Sequence, residues 1–526
     1  MRAWREILAR TRPAAQAFAA GLRDPLAAQA AQLQGILAAA RGSRWGRQNG
    51  LGEIEGIADY QARVPISDYE SIAGDMTAVA RGEADRLFPG RPCFMEITGG
   101  STGGVKRIPY TEASLAALQR GLYPWLHDLL LHRPAITRGH SYWSISPPRR
   151  VALPPTGVPL GIDNDALYFG EVLASLLGKV MLVPPLASET TDLQAWRKAT
   201  LVCLLGAEDL AFVSVWSPTF LTDLLDHLLA DPGPILHLLR LSGLRERAAR
   251  IREVLDAPSP HLAHIWPALD TVSCWTEGSA RQYLPSLAAR LPGVHIQGKG
   301  LLATEGMVTL PLAAAAYPVL AIHSGFYEFL DDAGTPHLCD DLQPGQCYEV
   351  IITTWAGLYR YRLGDRVRVQ GHLEATPMLS FEGRAGLVSD LCGEKLGEDF
   401  VARAMAQVMR ATVGGAGGFA MLLPLADRRC YSLVVDAAER DEATARAMAA
   451  ACDAALRANP QYALARDLGQ LGAIEAVRVT RAWQRYRDFM LARGMLLGDI
   501  KPPLLGTQDE LAAALGVRDG PEAVPA

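Results

Sequence analysis

The sequence predicts a two-part chain of α/β class. A large N-terminal domain of mixed sheets, flanking helices and a β-rich part spans residues 1–385, and a small C-terminal α+β domain spans 386–526. Three observations carry this. Strand and helix signals alternate up to about residue 300, the pattern of helices packed over sheets. From 317 to 385 the character turns β-rich. After Gly383-Arg384 the composition shifts again, and an α+β order of about 130 residues follows. A length of 526 residues suggests two to four domains or subdomains.

Residues 1–60 read as helices ending near Gly50-Leu51-Gly52, with Leu33, Ile36, Leu37 and Ala40 at helical spacing. Cys93 to Ile97 and Arg107 to Tyr110 read as extended, the latter because the residue before a proline avoids the helical region. A helix should start near Thr111, its apolar face set by Leu115, Leu118, Leu122, Trp125, Leu126 and Leu129. Val180 to Val183 and Ala211 to Val215 read as strands. Tyr348 to Trp355 is a strand, Ala356-Gly357 a turn and Leu358 to Leu363 its partner, with Val367 to Val369 and Met378 to Phe381 continuing the sheet. Beyond the boundary, 399–412 is a helix and Gly414 to Gly418 a turn. Strands at 419–424 and 431–435, a helix from Ala443 to Arg457, a strand from Ala473 to Val479 and a helix from Trp483 to Arg493 complete the order. The tail from Asp519 should be frayed.

Composition narrows the function. Apolar residues make up 49% and charged residues 20%, ordinary for a globular enzyme. A net charge of -5 provides no global field to recruit nucleic acid or an acidic membrane. The eight cysteines show no C-x-x-C and no paired metal spacing, which fits a reducing compartment. The Ala- and Arg-rich N-terminus lacks an apolar segment before a small-residue cleavage site. No window approaches about 18 consecutive apolar residues. The expectation is a cytoplasmic protein, a monomer or weak dimer, with no nucleic-acid or membrane partner.

The most informative stretch is Thr98-Gly99-Gly100-Ser101-Thr102-Gly103-Gly104-Val105-Lys106. Its glycines free the backbone to bring several N–H groups to an anion, two hydroxyls add directional donors, and a lysine supplies a point charge. Gly99 and Gly104 have Walker A separation. However, Val105 intervenes before Lys106, Arg107 stands where Ser or Thr should, and no helix opens at the loop's end, so a P-loop is excluded. Gly-rich turns with Ser and Thr also serve as plain hairpin loops; the ordered hydroxyls and lysine favour a phosphate grip.

Three later clusters add to it. In Gly300-Leu301-Leu302-Ala303-Thr304-Glu305-Gly306, a hydroxyl beside a carboxylate suits phosphate and Mg²⁺, which takes one or two carboxylates plus phosphate oxygens; such a pair also caps helices. In Tyr359-Arg360-Tyr361-Arg362-Leu363-Gly364-Asp365, an aspartate after a glycine is either turn chemistry or an acceptor for two ribose hydroxyls. Gly383-Arg384, leading to Gly393-Glu394-Lys395-Leu396, falls where a hinge and a ligand contact could coincide.

In this order the four motifs resemble the ANL superfamily of adenylate-forming enzymes. More closely they resemble its Gretchen Hagen family, the auxin-responsive acyl acid amido synthetases. Val64-Pro65-Ile66 before Tyr69-Glu70, and Gly157-Val158-Pro159-Leu160-Gly161, match the same family. The resemblance covers roughly residues 45–400 well and the last 120 or so more loosely.

The resemblance implies a two-step ligase using ATP and Mg²⁺. A small, hydrophobic carboxylic acid attacks the α-phosphate to give an acyl-adenylate and pyrophosphate, and an amino acid then displaces AMP to form an amide. Carried over, Ser101 and Thr102, with Gly103 in their loop, grip phosphate and Lys106 neutralises the leaving pyrophosphate. Gly300 and Leu301 lead the second nucleotide motif. Thr304 contacts the α-phosphate region, Glu305 holds the metal, Asp365 holds the ribose, and Arg384 is a contact at the hinge. A catalytic lysine near the C-terminus maps onto Lys501. Two departures stand out: Leu301 replaces an aromatic residue that lies against adenine, and Gly386-Leu387 replaces an acidic hinge pair. An acid–thiol (coenzyme A) ligase and a catalytically silent nucleotide- or acyl-binding homologue remain as alternatives. The acyl pocket is expected near Trp216, Phe220 and the Trp275–Glu277 loop, with Arg120 and Trp143 as further candidates.

Overall fold

The computed structural model describes residues 2–99, 105–144, 157–162, 165–185, 190–384, 387–506 and 509–517. The chain opens with the helices Arg2–Gly21 and Pro25–Ala40, the second started by the Asp24 carboxylate accepting from Ala27 N–H (3.0 Å) with Pro25 in the first turn. Leu33, Ile36, Leu37 and Ala40 are buried against Tyr60, Phe326 and Tyr359, as their spacing predicts.

Strand β1 (Phe94–Gly99) and strand β2 (Val105–Tyr110) pair antiparallel, Phe94 opposite Tyr110 and Gly99 opposite Val105. Both strands expected beside the Gly-rich loop are present. Thr111 then caps the helix Glu112–His132 reciprocally with Ser114. Residues 157–162 run beside β1, Met95 N–H donating to Pro159 O (2.8 Å) and Gly161 N–H to Met95 O (2.8 Å).

A parallel sheet follows in the order β3 (His140–Trp143), β4 (Leu210–Ser214), β5 (Thr271–Cys274) and β6 (His295–Gly298), with helices covering it. The strand expected at Val180 to Val183 is not formed. Met181 makes an isolated bridge to Ser141, because the helix Gly170–Leu177 ends just before it and Pro184-Pro185 ends the extended stretch.

The β-rich part begins with a tight hairpin of β7 (Leu302–Ala303) and β8 (Gly306–Met307). The larger antiparallel sheet comprises β9 (Thr309–Leu310), β10 (Val319–Leu320), β11 (Phe326–Leu330), β12 (Pro336–His337), β13 (Cys347–Thr353), β14 (Tyr361–Leu373) and β15 (Thr376–Arg384). Among the described residues its order is β12-β11-β13-β14-β15-β10-β9.

After a short ladder of β16 (Val388–Ser389) and β17 (Leu396–Gly397) comes the helix Glu398–Val413. Strands β18 (Ala420–Leu425) and β19 (Cys430–Asp436) pair antiparallel, and β20 (Glu475–Val479) pairs parallel to β19. The helix Pro460–Asp467 was not anticipated from the sequence; Asn459 caps it and Pro460 occupies its first turn. One face of this sheet packs under its own helices, with Leu422, Leu433 and Val435 buried. The other face shares a core with the parallel-sheet layer, Met421, Leu423 and Val434 joining Leu221, Leu225 and Val272. Among the described residues no helix is long and apolar enough to cross a membrane.

Candidate active site

A cavity of about 750 Å³ lies where the carboxyl ends of the parallel strands meet the β7–β8 hairpin, Asp365 of β14, the end of β15, and the C-terminal segment. That crevice is where open α/β sheets bind ligands, because the strands stop there and their following loops diverge. One end is apolar and aromatic, with Leu122, Trp125, Trp143 and Phe169 on its wall; the other holds Glu305, Asp365, Arg384 and Lys501.

The polar end is built from backbone devices. Gly300 has φ +69°, and a Cβ there would lie 2.7 Å from Thr309 Oγ1 and 2.9 Å from Thr309 O, so both conformation and space demand glycine. The next residue, Leu301, donates its N–H to Thr309 Oγ1 (2.8 Å) and lines the cavity. Thr304 and Glu305 form the β7–β8 turn rather than capping a helix, and Tyr110 Oη donates to Thr304 O (2.8 Å). Glu305 is 6% exposed. Burial pushes its carboxyl above the usual carboxylate range, Asp365 adds to the rise, and Arg384 and Lys106 oppose it. Lys106 Nζ donates to Tyr361 Oη (3.3 Å) and sits over the Tyr69 ring, so the lysine of the Gly-rich loop belongs to the same electrostatic neighbourhood.

Asp365 lies inside β14 rather than at a strand end. Arg362 pairs with Ile351 and Arg366 with Glu349, so Leu363-Gly364-Asp365 oppose Val350 alone, with Gly364 at φ +82°. This bulge re-aims the chain, and Asp365 lines the cavity at 4% exposure. Across the ladder its register partner is Arg384, whose Nε donates to Asp365 Oδ1 (3.1 Å).

Lys501 reaches the same end. Its segment returns along β18, with Leu422 N–H donating to Leu504 O (2.8 Å), and Tyr486 Oη donates to Lys501 O (3.3 Å). The ammonium stands 4.6 Å over the Trp275 ring and 5.9 Å from the Phe381 ring. The residue as a whole is exposed, but desolvation of its ammonium among the cavity walls pushes it below the ordinary lysine value and Arg384 adds to this, while Asp365, Glu398 and Asp499 hold it up.

Of the residues singled out from sequence, Gly300, Leu301, Thr304, Glu305, Asp365, Arg384 and Lys501 line one cavity, and Lys106 is coupled to it. Ser101, Thr102 and Gly103 lie outside the described residues, as does Gly386. For the acyl pocket, Trp143, Trp216, Trp275 and Glu277 line the cavity as expected. Phe220 does not: it is 1% exposed in the core, its ring edge-on to Trp196. Arg120 does not either; it donates to His323 O (2.7 Å) and packs over Trp355. Among the described residues no cluster of three or more His, Cys, Asp or Glu could hold a metal unaided. Glu305 alone suits Mg²⁺, an ion that takes few carboxylates and completes its shell with phosphate and water. Sequence reasoning missed Lys299 and Asp165, two more cavity residues. The only signal was a lysine directly before the Gly300 motif.

The GH3 family N-terminal domain matches residues 14–231, its central domain 318–384 and its C-terminal domain 401–510. A rice protein (Oryza sativa subsp. japonica) named "Probable indole-3-acetic acid-amido synthetase GH3.12" is 25% identical over 576 residues, covering 91% of each chain. The indole-3-acetic acid-amido synthetase GH3.15 of Arabidopsis thaliana is 26% identical over 400 residues, covering 66% of each. The solved GH3.15 acyl acid amido synthetase superposes with a TM-score of 0.83 at 19% identity, covering 96% of this chain and 95% of that one. A 2-hydroxyisobutyryl-CoA ligase in the postadenylation state gives 0.56 at 13% identity, covering 93% and 90%. The fold is thus that of adenylate-forming ligases, and with all three domains matched in order the chain belongs to the GH3 family.

Proposed function

We propose that this chain is an ATP- and Mg²⁺-dependent ligase that activates a small carboxylic acid as an acyl-adenylate and conjugates it to an amino acid. The observation that supports it best is one continuous cavity with an apolar aromatic end and a charged end carrying Glu305, Asp365, Arg384 and Lys501. An acid laid along it has its hydrocarbon against the indoles and its carboxylate at the charged end.

In the first step a carboxylate oxygen attacks the α-phosphorus and the bond to the bridging oxygen of pyrophosphate breaks. Holding the reactants in line supplies most of the barrier reduction, and fixed positive charge supplies the rest. Lys501 and Thr304 are assigned to the α-phosphate, Lys106 with Ser101, Thr102 and Gly103 to the departing pyrophosphate. Asp365, steadied by Arg384, is assigned to the ribose, and Leu301 gives the adenine an apolar contact without stacking. Glu305 would hold Mg²⁺, which supplies charge neutralisation on the phosphate oxygens. In the second step the amine attacks the acyl carbon and AMP leaves, with no covalent enzyme intermediate.

We assign Lys501 to a C-terminal unit, 386–526, that moves relative to 1–385. A cytoplasmic location suits eight cysteines that are all unpaired.

The test is acid-dependent exchange of labelled pyrophosphate into ATP over a broad acid panel; absence of exchange with every acid would sink the ligase reading. Where exchange occurs, product identification with amino acids or coenzyme A added separately decides between amide and thioester.

A further inference from the structure

The aromatic end of the cavity is interrupted by a charge. Lys299 follows β6 directly and its Nζ donates to Ser214 Oγ (2.7 Å) at the end of β4. The ammonium also stands 5.1 Å from the Trp216 ring and 5.6 Å from the Trp125 ring. Enclosure pushes it down to about 8, and Asp165 is its opposing charge. Enclosure likewise pushes the Asp165 carboxyl up to about 7, against the pull of Lys299.

Both groups line the cavity beside the same indole: Lys299 stands over the Trp216 ring, and the Trp216 side chain hydrogen-bonds the Asp165 carboxylate. Trp216 and Trp275 lie 5.8 Å apart, joined by a backbone bond from Trp275 N–H to Trp216 O (2.8 Å). Lys501 stands over Trp275 and Lys299 over Trp216, so the two ammonium groups mark successive stations of one aromatic wall. An acid whose carboxylate meets Lys501 extends its other end toward Lys299.

We propose that Lys299 and Asp165 form a specificity subsite of the acyl pocket, selecting a carboxylic acid that carries a hydroxyl at the end away from its reacting carboxylate. This rests on the ligase reading above. An ammonium offers three donors, of which Ser214 takes one, and a carboxylate offers only acceptors. A hydroxyl both accepts and donates, so it matches the two together. A purely hydrocarbon acyl group would cover both charges without hydrogen-bonding either, and sites of that kind reject the analogue lacking the hydroxyl strongly.

The full chain is assayed with two matched pairs: 3-(4-hydroxyphenyl)propanoate against 3-phenylpropanoate, and 4-hydroxybenzoate against benzoate. Pyrophosphate exchange is run beside calorimetric titration of the acid alone. The expected result is a kcat/KM at least roughly tenfold higher for the hydroxylated member of a pair. Lys299→Met should remove that preference while leaving the KM for ATP unchanged. Lys299→Gln, which keeps a donor for Ser214, should weaken it and serves if circular dichroism shows the first variant misfolded. Equal use of both members, preference for the unsubstituted acid, or an unchanged preference in both variants overturns the subsite. Stronger exchange with terephthalate than with 4-hydroxybenzoate overturns the hydroxyl in favour of a second carboxylate. If the wild type exchanges with no acid, the ligase reading falls by itself. Titration then decides the subsite: a binding preference lost in the variants upholds it, and no preference overturns it.

Discussion

Asp223 holds two arginines from different parts of the chain. Its Oδ2 accepts from Arg197 Nε (2.9 Å) and Nη2 (2.7 Å), and its Oδ1 from Arg487 Nη1 (2.6 Å), with side-chain exposures of 7%, 5% and 10% for Asp223, Arg197 and Arg487. Arg487 belongs to the helix Ala482–Ala492, which also carries Tyr486, the donor to Lys501 O. The helix Pro218–Ala230 bearing Asp223 also supplies Thr219, whose hydroxyl donates to Ile500 O (3.4 Å). Asp223→Ala strands two buried guanidinium groups and should cost about 3–5 kcal/mol. Arg487→Met leaves the Arg197–Asp223 pair made and should cost about 1.5–3 kcal/mol, its one buried hydrogen bond to a charged group, since its other pairing, to the exposed Asp488, contributes little. Urea midpoints followed by tryptophan fluorescence are compared, because a chain of this length need not unfold in one step. Asp223→Ala should unfold at clearly lower urea than Arg487→Met. The latter should stay folded yet lose pyrophosphate exchange, since its helix no longer seats Lys501. A wild-type midpoint for Asp223→Ala, or full exchange in Arg487→Met, would refute the reasoning.

Glu305→Ala and Asp365→Ala should each reduce exchange by roughly a hundredfold or more with unchanged circular dichroism; near-normal exchange in either removes its assigned role. Chelation by EDTA should abolish exchange and added Mg²⁺ restore it, an outcome that activity persisting in EDTA would contradict. Gly300→Ala forces a Cβ against Thr309 at φ +69° and should cost about 1–2 kcal/mol from the backbone alone, with a matching loss of exchange; wild-type activity would show that the turn relaxes freely. Burial pushes the Glu277 carboxyl from 4.5 to about 7, against a hydrogen bond from Phe381 N–H. Its protonated form is therefore favoured by folding, and that stabilisation is lost as pH rises from about 4.5 through about 7, by at most about 3 kcal/mol. Glu277→Gln should lose less stability than wild type between pH 5 and pH 8 in urea titrations; parallel pH curves for the two proteins would contradict this.

The parts of the fold legible in the sequence were those where periodicity and punctuation agree. The helix Glu112–His132 has both a capping pair and a regular apolar stripe, and it formed where both pointed. Val180 to Val183 had only the apolar run, and four apolar residues between a helix end and two prolines cannot by themselves specify a ladder. Phe220 looked like a pocket residue because it follows Trp216 closely. The helix Pro218–Ala230 turns it into the core instead, and nothing in one chain's text distinguishes the two faces of a helix buried on most sides. The motif around Tyr359 to Asp365 divides similarly. Arg360 is a structural clasp, its guanidinium paired with Glu328 (2.9 Å) and donating to Gln61 O and Val64 O (both 2.8 Å), which ties the Val64-Pro65-Ile66 segment to this motif in space. Asp365 is the member that faces the cavity, and the bulge at Gly364 separates the two jobs.

Charge explains why the site residues had to be read as a set. Glu305, Asp365 and Glu398 share the polar end with Arg384 and Lys501, so that end carries three acidic groups against two basic ones before any phosphate enters. A nucleotide adds more negative charge, and burial already opposes ionisation of Glu305. On the proposed reading, a nucleotide that arrives with its own cation would turn Glu305 from a repulsive neighbour into a ligand. Lys106, tethered to Tyr361, supplies positive charge from the other side. Each of these residues has an ordinary explanation when taken alone. The ordinary explanations fail together, because a turn carboxylate, a mid-strand aspartate and a C-terminal lysine have no structural reason to meet in one cavity.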